Sequence, residues 1–145
     1  MTSQEAARDK RLRKTYGWTL EMVEALSEAQ GHRCAACGRE KKVMPLNVDH
    51  IHFRVMSAKI ADGNWYAWTE FDGMKFDAVQ RFKKDAVSTV KLRAMPYSVR
   101  GLLCAGRYAG CNRKLGRIDD PVWLRRCADY LEKWPSRQVF PAKIA

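Results

Sequence analysis

The sequence contains no apolar run approaching the roughly 18 residues of a membrane span, and no basic segment with the broad apolar face of an interfacial helix. Both absences argue against a membrane partner. The opening residues Met1-Thr2-Ser3-Gln4-Glu5 lack the charged-then-apolar pattern of a secretory leader, so the chain is expected to stay in the cytoplasm, where thiols are kept reduced. Acidic residues are also scarce: 16 Asp plus Glu face 27 Lys plus Arg, for a net charge of +11. That excess on a folded chain calls for an anionic partner, and nucleic acid is the one left once membranes are set aside. Histidine is sparser still, with His32, His50 and His52 the only three. Repeats and low-complexity tracts are missing. At 145 residues and 46% hydrophobic content, the chain is expected to form one domain over 1–145 rather than a disordered polyelectrolyte.

Against this background five cysteines stand out: Cys34, Cys37, Cys104, Cys111 and Cys127. In a reducing compartment, clustered pairs bind metal more often than they form disulfides. Cys34-Ala35-Ala36-Cys37-Gly38 has the two-residue spacer that turns two thiolates onto one ion, with Gly38 giving the backbone freedom a tight knuckle needs. Cys104 and Cys111 form a wider pair, whose connection must loop out through Gly106 and Gly110. The long loop between the two pairs is no obstacle, because each doubling of a closed loop costs only about 0.6 kcal/mol. Structural zinc contributes roughly 10 to 16 kcal/mol in peptides. The four cysteines are therefore read as ligands of a structural Zn²⁺, against the alternative of free thiols packing as small hydrophobes. His32, beside the first knuckle, is read as a surface or supporting residue, with replacement of one cysteine ligand as the alternative if the Cys111 half is irregular. Cys127 lies on the apolar stripe of a C-terminal helix and is read as core.

Hydrophobic periodicity predicts a basic helix over Glu5 to Lys14, a break at Tyr16-Gly17-Trp18, and a second helix from Leu20 to Gln30 with Thr19 as N-cap and Gly31 as its stop. Pro45 to Phe53 has a strand pattern, with Leu46, Val48 and Ile51 on its buried side. This strand carries Asp49-His50-Ile51-His52. In a regular strand Asp49 points away from the two histidines, so joint action of the three demands a twist or bulge there. Ser98 to Cys104 reads as a short strand entering the second cysteine pair, and Cys111 to Gly116 as a short helix. Asn112 then adjoins a zinc ligand, and a metal staple there would hold it against the strand of Asp49 and His50.

The ordered set Cys34-x-x-Cys37, Asp49-His50-x-His52, Val99-Arg100-Gly101-Leu102-Leu103-Cys104 and Cys111-Asn112-x-x-Leu115-Gly116 resembles the recombination endonuclease VII family. Leu12-Arg13-Lys14-Thr15-Tyr16-Gly17 and the helix ending Gln30-Gly31 are similar to that family's leader. The resemblance covers about Leu12 to Phe53 and Val99 to Leu131. It implies an α+β fold: a small zinc-stapled ββα-metal (HNH) domain with flanking helices, built around one catalytic divalent cation. It implies a metal-dependent DNA endonuclease acting on branched DNA such as Holliday junctions, a phage or prophage origin, and a homodimer. Asp49 and the Asn112 amide oxygen suit a catalytic Mg²⁺ or Mn²⁺. His50, whose imidazole is neutral at cellular pH, is the candidate general base. His52 either contacts the metal or phosphate or orients a neighbour.

Arg100, Arg107, Arg113, Lys114 and Arg117 surround these elements and are expected to meet DNA phosphates, which gives affinity and salt dependence without sequence readout. Each is otherwise part of a solvated face. Lys10, Arg11, Arg13 and Lys14 form a second basic cluster serving either DNA or solubility. Residues 54–97 depart from the family pattern and read as an insertion. A strand at Asn64 to Phe71, a turn at Asp72-Gly73 and a return from Met74 precede a helix inferred from Phe76, Val79, Phe82 and Ala86. Its aromatics are expected to form a local core rather than a base-stacking surface. A last helix starts at Asp119-Asp120-Pro121 and stops at Pro135. Two rival functions remain: a sequence-specific HNH nicking or homing endonuclease, and a non-catalytic zinc module that binds DNA or a packaging partner.

Overall fold

The computed structural model describes residues 1–43, 45–106 and 110–133. The chain begins with two helices, α1 (Ser3–Tyr16) and α2 (Leu20–Ala29). Thr2 and Glu5 form a reciprocal capping box at the start of α1, satisfying two otherwise orphan amides. Gly17 ends it in the left-handed region at φ 70°, and a Cβ there would lie 2.6 Å from the Pro96 ring. Thr19 caps α2 as expected, accepting from the Met22 amide.

Two sheets follow. Strands β1 (Leu46–His50) and β5 (Val99–Cys104) pair antiparallel in a two-stranded ribbon. Between them in sequence, β2 (Met56–Lys59), β3 (Trp65–Phe71) and β4 (Met74–Gln80) form a three-stranded antiparallel meander packed on α3 (Lys83–Ser98). Two short helical segments close the described chain, α4 (Cys111–Leu115) and α5 (Pro121–Lys133).

The two sheets have separate cores. The ribbon buries Leu46, Val48, Leu102, Leu103 and two cysteines against Leu12 of α1 and Val23 of α2. The meander buries Ala67 and Ala78 against Ala86 and Val90 of α3, small side chains that let helix and sheet approach closely. Gln30, just past α2, joins the first core to β5. Its amide donates to the Leu102 carbonyl at 3.0 Å and accepts from the Leu102 N–H at 2.9 Å, giving that N–H a partner on the outer edge of β5.

Three expectations need correction. Phe76 and Val79 belong to β4 rather than a helix, and Phe82 is the residue preceding α3. The hairpin explains why: Asp72 and Gly73 both have positive φ (50° and 71°), the geometry that pairs strands across two residues, so seven-residue β3 finds a seven-residue partner. Strand β2 was not anticipated. Cys127 is half-buried rather than core, because α5 leaves Val122, Trp123, Tyr130 and Leu131 exposed. Pro135, the expected helix stop, lies outside the described residues.

Candidate functional site

The two ends of the β1–β5 ribbon carry the two constellations. Leu46 pairs with Cys104 at one end and His50 with Val99 at the other. At the first end the sulfurs of Cys34, Cys37, Cys104 and Cys111 all lie within 4.8 Å of one another. The Cys37 and Cys104 Sγ atoms are 3.8 Å apart. A tetrahedron of about 2.3 Å zinc–sulfur bonds requires sulfur separations of about 3.8 Å, so the donor set fits a structural metal such as zinc.

Local backbone explains the convergence. The Cys34 knuckle is folded back by the Cys34 N–H to Arg39 carbonyl bond at 2.9 Å and held to β5 by the Ala35 N–H to Leu102 carbonyl bond at 3.1 Å. The wider Cys104–Cys111 connection closes on Gly110, where a Cβ would collide with the Gly106 nitrogen and lie 2.7 Å from the Cys104 carbonyl. The Cys111 N–H then points at the Cys104 sulfur, 3.3 Å away. As free thiols Cys34 and Cys111 are electrostatically mismatched. Burial opposes ionisation of Cys34, yet backbone amides of Cys37, Cys104 and Ala36 bring its pKa down to about 6. Burial, hydrogen bonds to the neighbouring sulfurs and the Cys34 charge push Cys111 up to about 12. A bound cation would relieve that conflict, letting all four ionise. His32 is not drawn in, its Nδ1 lying 3.1 Å from Ser27 Oγ.

At the other end the ribbon register shifts between Asp49 and His50. Asp49 pairs with Gly101 and His50 with Val99, so the extra residue is Arg100 on β5, whose guanidinium reaches Asp49. Asp49 is 7% exposed and is held by Arg100 through two bonds, Nε to Oδ2 at 2.9 Å and Nη2 to Oδ1 at 3.0 Å. Arg100 Nη1 also donates to Asp119 Oδ1 at 2.6 Å. Asp119 Oδ2 in turn accepts from the His52 backbone N–H at 3.1 Å and stands 3.6 Å from His52 Nδ1. The His50 and His52 rings are 4.7 Å apart, and Tyr16 meets His50 edge-on at 5.4 Å. Burial, His52 and Arg100 lower the His50 pKa from 6.5, outweighing the opposing pull of Asp49 and Asp119.

Arg117 lines an open cavity of 440 Å³ with His50, His52, Arg54 and Lys91. Asn112 lines a different cavity of 290 Å³ with Tyr16, Asn47 and Val48; among the described residues neither Asp49 nor His50 lines it, although Tyr16 also meets His50. Arg113 lies beside Asn112 in a third cavity, and Lys114 is exposed on α4. Arg107 lies outside the described residues. Reading the sequence missed Asp119 and Tyr16 as members of this site. Asp119 was taken with Asp120 as a helix-start acid, but Asp120 alone caps α5, accepting from Val122 and Trp123 amides. Two adjacent acids before a proline, where one suffices, were the available signal.

Fold and cysteine cluster together define a small α+β protein with four cysteines placed so that they could hold a structural metal. The family model of recombination endonuclease VII matches residues 9–133, and the chain belongs to that family. Membership implies a DNA endonuclease acting on phosphodiester bonds, a class typically directed at branched DNA. No curated protein and no solved structure matches the chain. Among the described residues, no helix is long and apolar enough to cross a membrane.

Proposed function

We propose that the chain is a divalent-metal-dependent HNH (ββα-metal) endonuclease that hydrolyses branched DNA, working as a homodimer in the cytoplasm with residues 54–97 as an inserted segment. The supporting observation is the cluster at one end of the ribbon, where Arg100 joins Asp49 to Asp119 and the His50 and His52 rings stand 4.7 Å apart. Mg²⁺ or Mn²⁺, held by the Asp49 carboxylate and the Asn112 amide oxygen, would supply charge stabilisation at the phosphate and leaving oxygen. The donors are chemically suited. Each Asp49 oxygen bonded to Arg100 keeps a further lone pair for a cation.

His50 takes the proton from the attacking water as its oxygen bonds to phosphorus and the bond to the leaving sugar oxygen breaks. Its lowered pKa keeps the imidazole neutral, hence able to accept, below the pH at which an ordinary histidine charges. His52, tied to Asp119, orients the loop after β1 and packs on His50. Arg113, Lys114 and Arg117 meet phosphates, with Arg107 the expected fourth. Arg100 fixes Asp49 in place as well as adding positive charge. Cys34, Cys37, Cys104 and Cys111 bind structural Zn²⁺ and keep Asn112 beside β1.

A specific observation favours a second reading. Arg100 engages both oxygens of Asp49, an arrangement that a non-cleaving zinc module for DNA could also use. Cleavage of a labelled four-way junction beside a linear duplex of the same sequence, with and without Mg²⁺, separates the possibilities. Preferential Mg²⁺-dependent cutting of the junction is expected. A few fixed cuts in long duplex would indicate a sequence-specific nicking enzyme, and binding without cutting would establish the passive module.

A further inference from the structure

The meander has two unlike faces. Ala67, Thr69 and Ala78 are buried on the face toward α3, whereas Tyr66 and Trp68 alternate with them onto the opposite face. There the Tyr66 and Trp68 rings stack, with centroids 5.1 Å apart at 16°. Register places Met56 beside Trp68 on one side and Val79 beside Tyr66 on the other, 49% and 51% exposed. Lys75 Nζ stands 6.0 Å from the Tyr66 ring centroid, and Glu70 faces Lys75 across the strands. Tyr66 and Trp68 are partly buried, and the exposed Met56 and Val79 extend the apolar surface around them.

This face is continuous with the candidate catalytic end. An open cavity of 470 Å³ has His52, Phe53, Arg54 and Asp119 on one side and Met56 and Trp68 on the other. The junction between them is firm. Phe53 stacks on Phe71 at 5.0 Å, Phe71 on Phe76 at 5.5 Å, and Thr69 Oγ1 donates to the Arg54 carbonyl at 2.8 Å. The loop bearing His52 is thus fastened to the meander, and a substrate placed for one is placed against the other.

We propose that the open face of the meander, centred on Trp68, Tyr66 and Met56, binds unpaired bases of the DNA strand whose phosphate lies at His50 and His52. The inference rests on the nuclease reading and names the feature of the substrate it selects. Continuity with the His52 cavity, which Arg54 also lines, supports DNA as the occupant; Lys75 stands beside Tyr66, and Glu70, Asp77 and Asp119 border the same surface. The occupant is unpaired because base faces inside a duplex are covered by their neighbours, whereas splayed-out bases stack on aromatic side chains standing up from a sheet. Unpaired bases at a branch would be held here while the neighbouring backbone meets the histidine end.

The test is binding of the intact zinc-loaded chain, without added Mg²⁺, to a perfect duplex and to the same duplex carrying a three-nucleotide unpaired stretch with 2-aminopurine in it. Tighter binding of the unpaired substrate and a change in 2-aminopurine fluorescence on binding are expected. Trp68→Ala should reduce that preference by roughly ten-fold, in the range set by base–aromatic stacking, and Trp68→Phe should restore most of it. Equal affinity for both substrates, or a preference unaltered in Trp68→Ala, overturns the proposal. If the alanine variant fails to fold, the wild-type fluorescence decides: no response at the unpaired base is a refutation. Because no cleavage is required, failure of the nuclease reading would appear separately, as base-selective binding by a chain that never cuts.

Discussion

The two ends of the β1–β5 ribbon are assembled by different forces. At the Leu46–Cys104 end four sulfurs from three separate segments converge on one point, a donor set for a soft or borderline cation. At the His50–Val99 end a carboxylate, two imidazoles and a second carboxylate are arranged around one guanidinium. The first is closed by its own ligands, as structural metal sites are, and the second opens onto a cavity. On the proposed reading, the contrast separates the part that keeps the fold from the part that meets substrate. A short ribbon with a small core needs the former in order to hold the latter.

The largest expected effect lies at the cysteine end. Cys34→Ala, or exhaustive chelation, should abolish the cooperative thermal transition, because about 10 to 16 kcal/mol of zinc binding is comparable to the whole stability of an ordinary domain. Zinc content and circular dichroism check this. A stable metal-free variant would erase the difference between the two ends.

Arg100→Ala should cost less, about 3 kcal/mol in chemical denaturation, since Asp49 would remain buried without its partner. Arg100→Lys should recover only part, because an ammonium cannot make both Asp49 bonds and reach Asp119 together. If Arg100→Ala were neutral, the guanidinium would not be the organiser of this end. Gln30→Leu, which removes both side-chain bonds to Leu102 in the element shared by the two ends, is expected to cost about 2 kcal/mol.

The smallest effect sharpens the electrostatics of the histidine end alone. In the protein without added Mg²⁺, His50 should titrate below 6.5 by NMR, and His52→Asn should move it upward by removing a neighbouring positive charge. The folded state resists protonation of His50, so its contribution to stability is full above about pH 6.5 and is lost as pH falls through the lower folded value. A His50 that titrates at or above 6.5 would contradict the burial argument.

Much of this was legible in the sequence because it is local. Thr19 announces the start of α2, the period-two pattern gives β1, and the Cys34-x-x-Cys37 spacing marks half of the staple. Strand alternation called for an irregularity in the strand at Asp49/His50; the register does shift there, but through an extra residue, Arg100, on β5. What was not legible depends on distant pairing. Residues Phe76, Val79 and Phe82 mimic a helical spacing, and only the length of β3 across the hairpin makes the first two strand residues. Gln30 shows its role only when β5 lies beside it, and Asp119 only when Arg100 reaches across to it. Cys127 followed the apolar stripe of α5, but periodicity identifies a stripe without showing what covers it.

The division of labour between the ribbon ends is tested most directly by the rate at which zinc-loaded His50→Ala cleaves a four-way junction in Mg²⁺, measured against the wild type. Loss of a general base predicts a fall of about 100-fold or more, with zinc content and thermal unfolding unchanged. Cleavage within ten-fold of wild type would contradict the account and remove His50 from the chemistry.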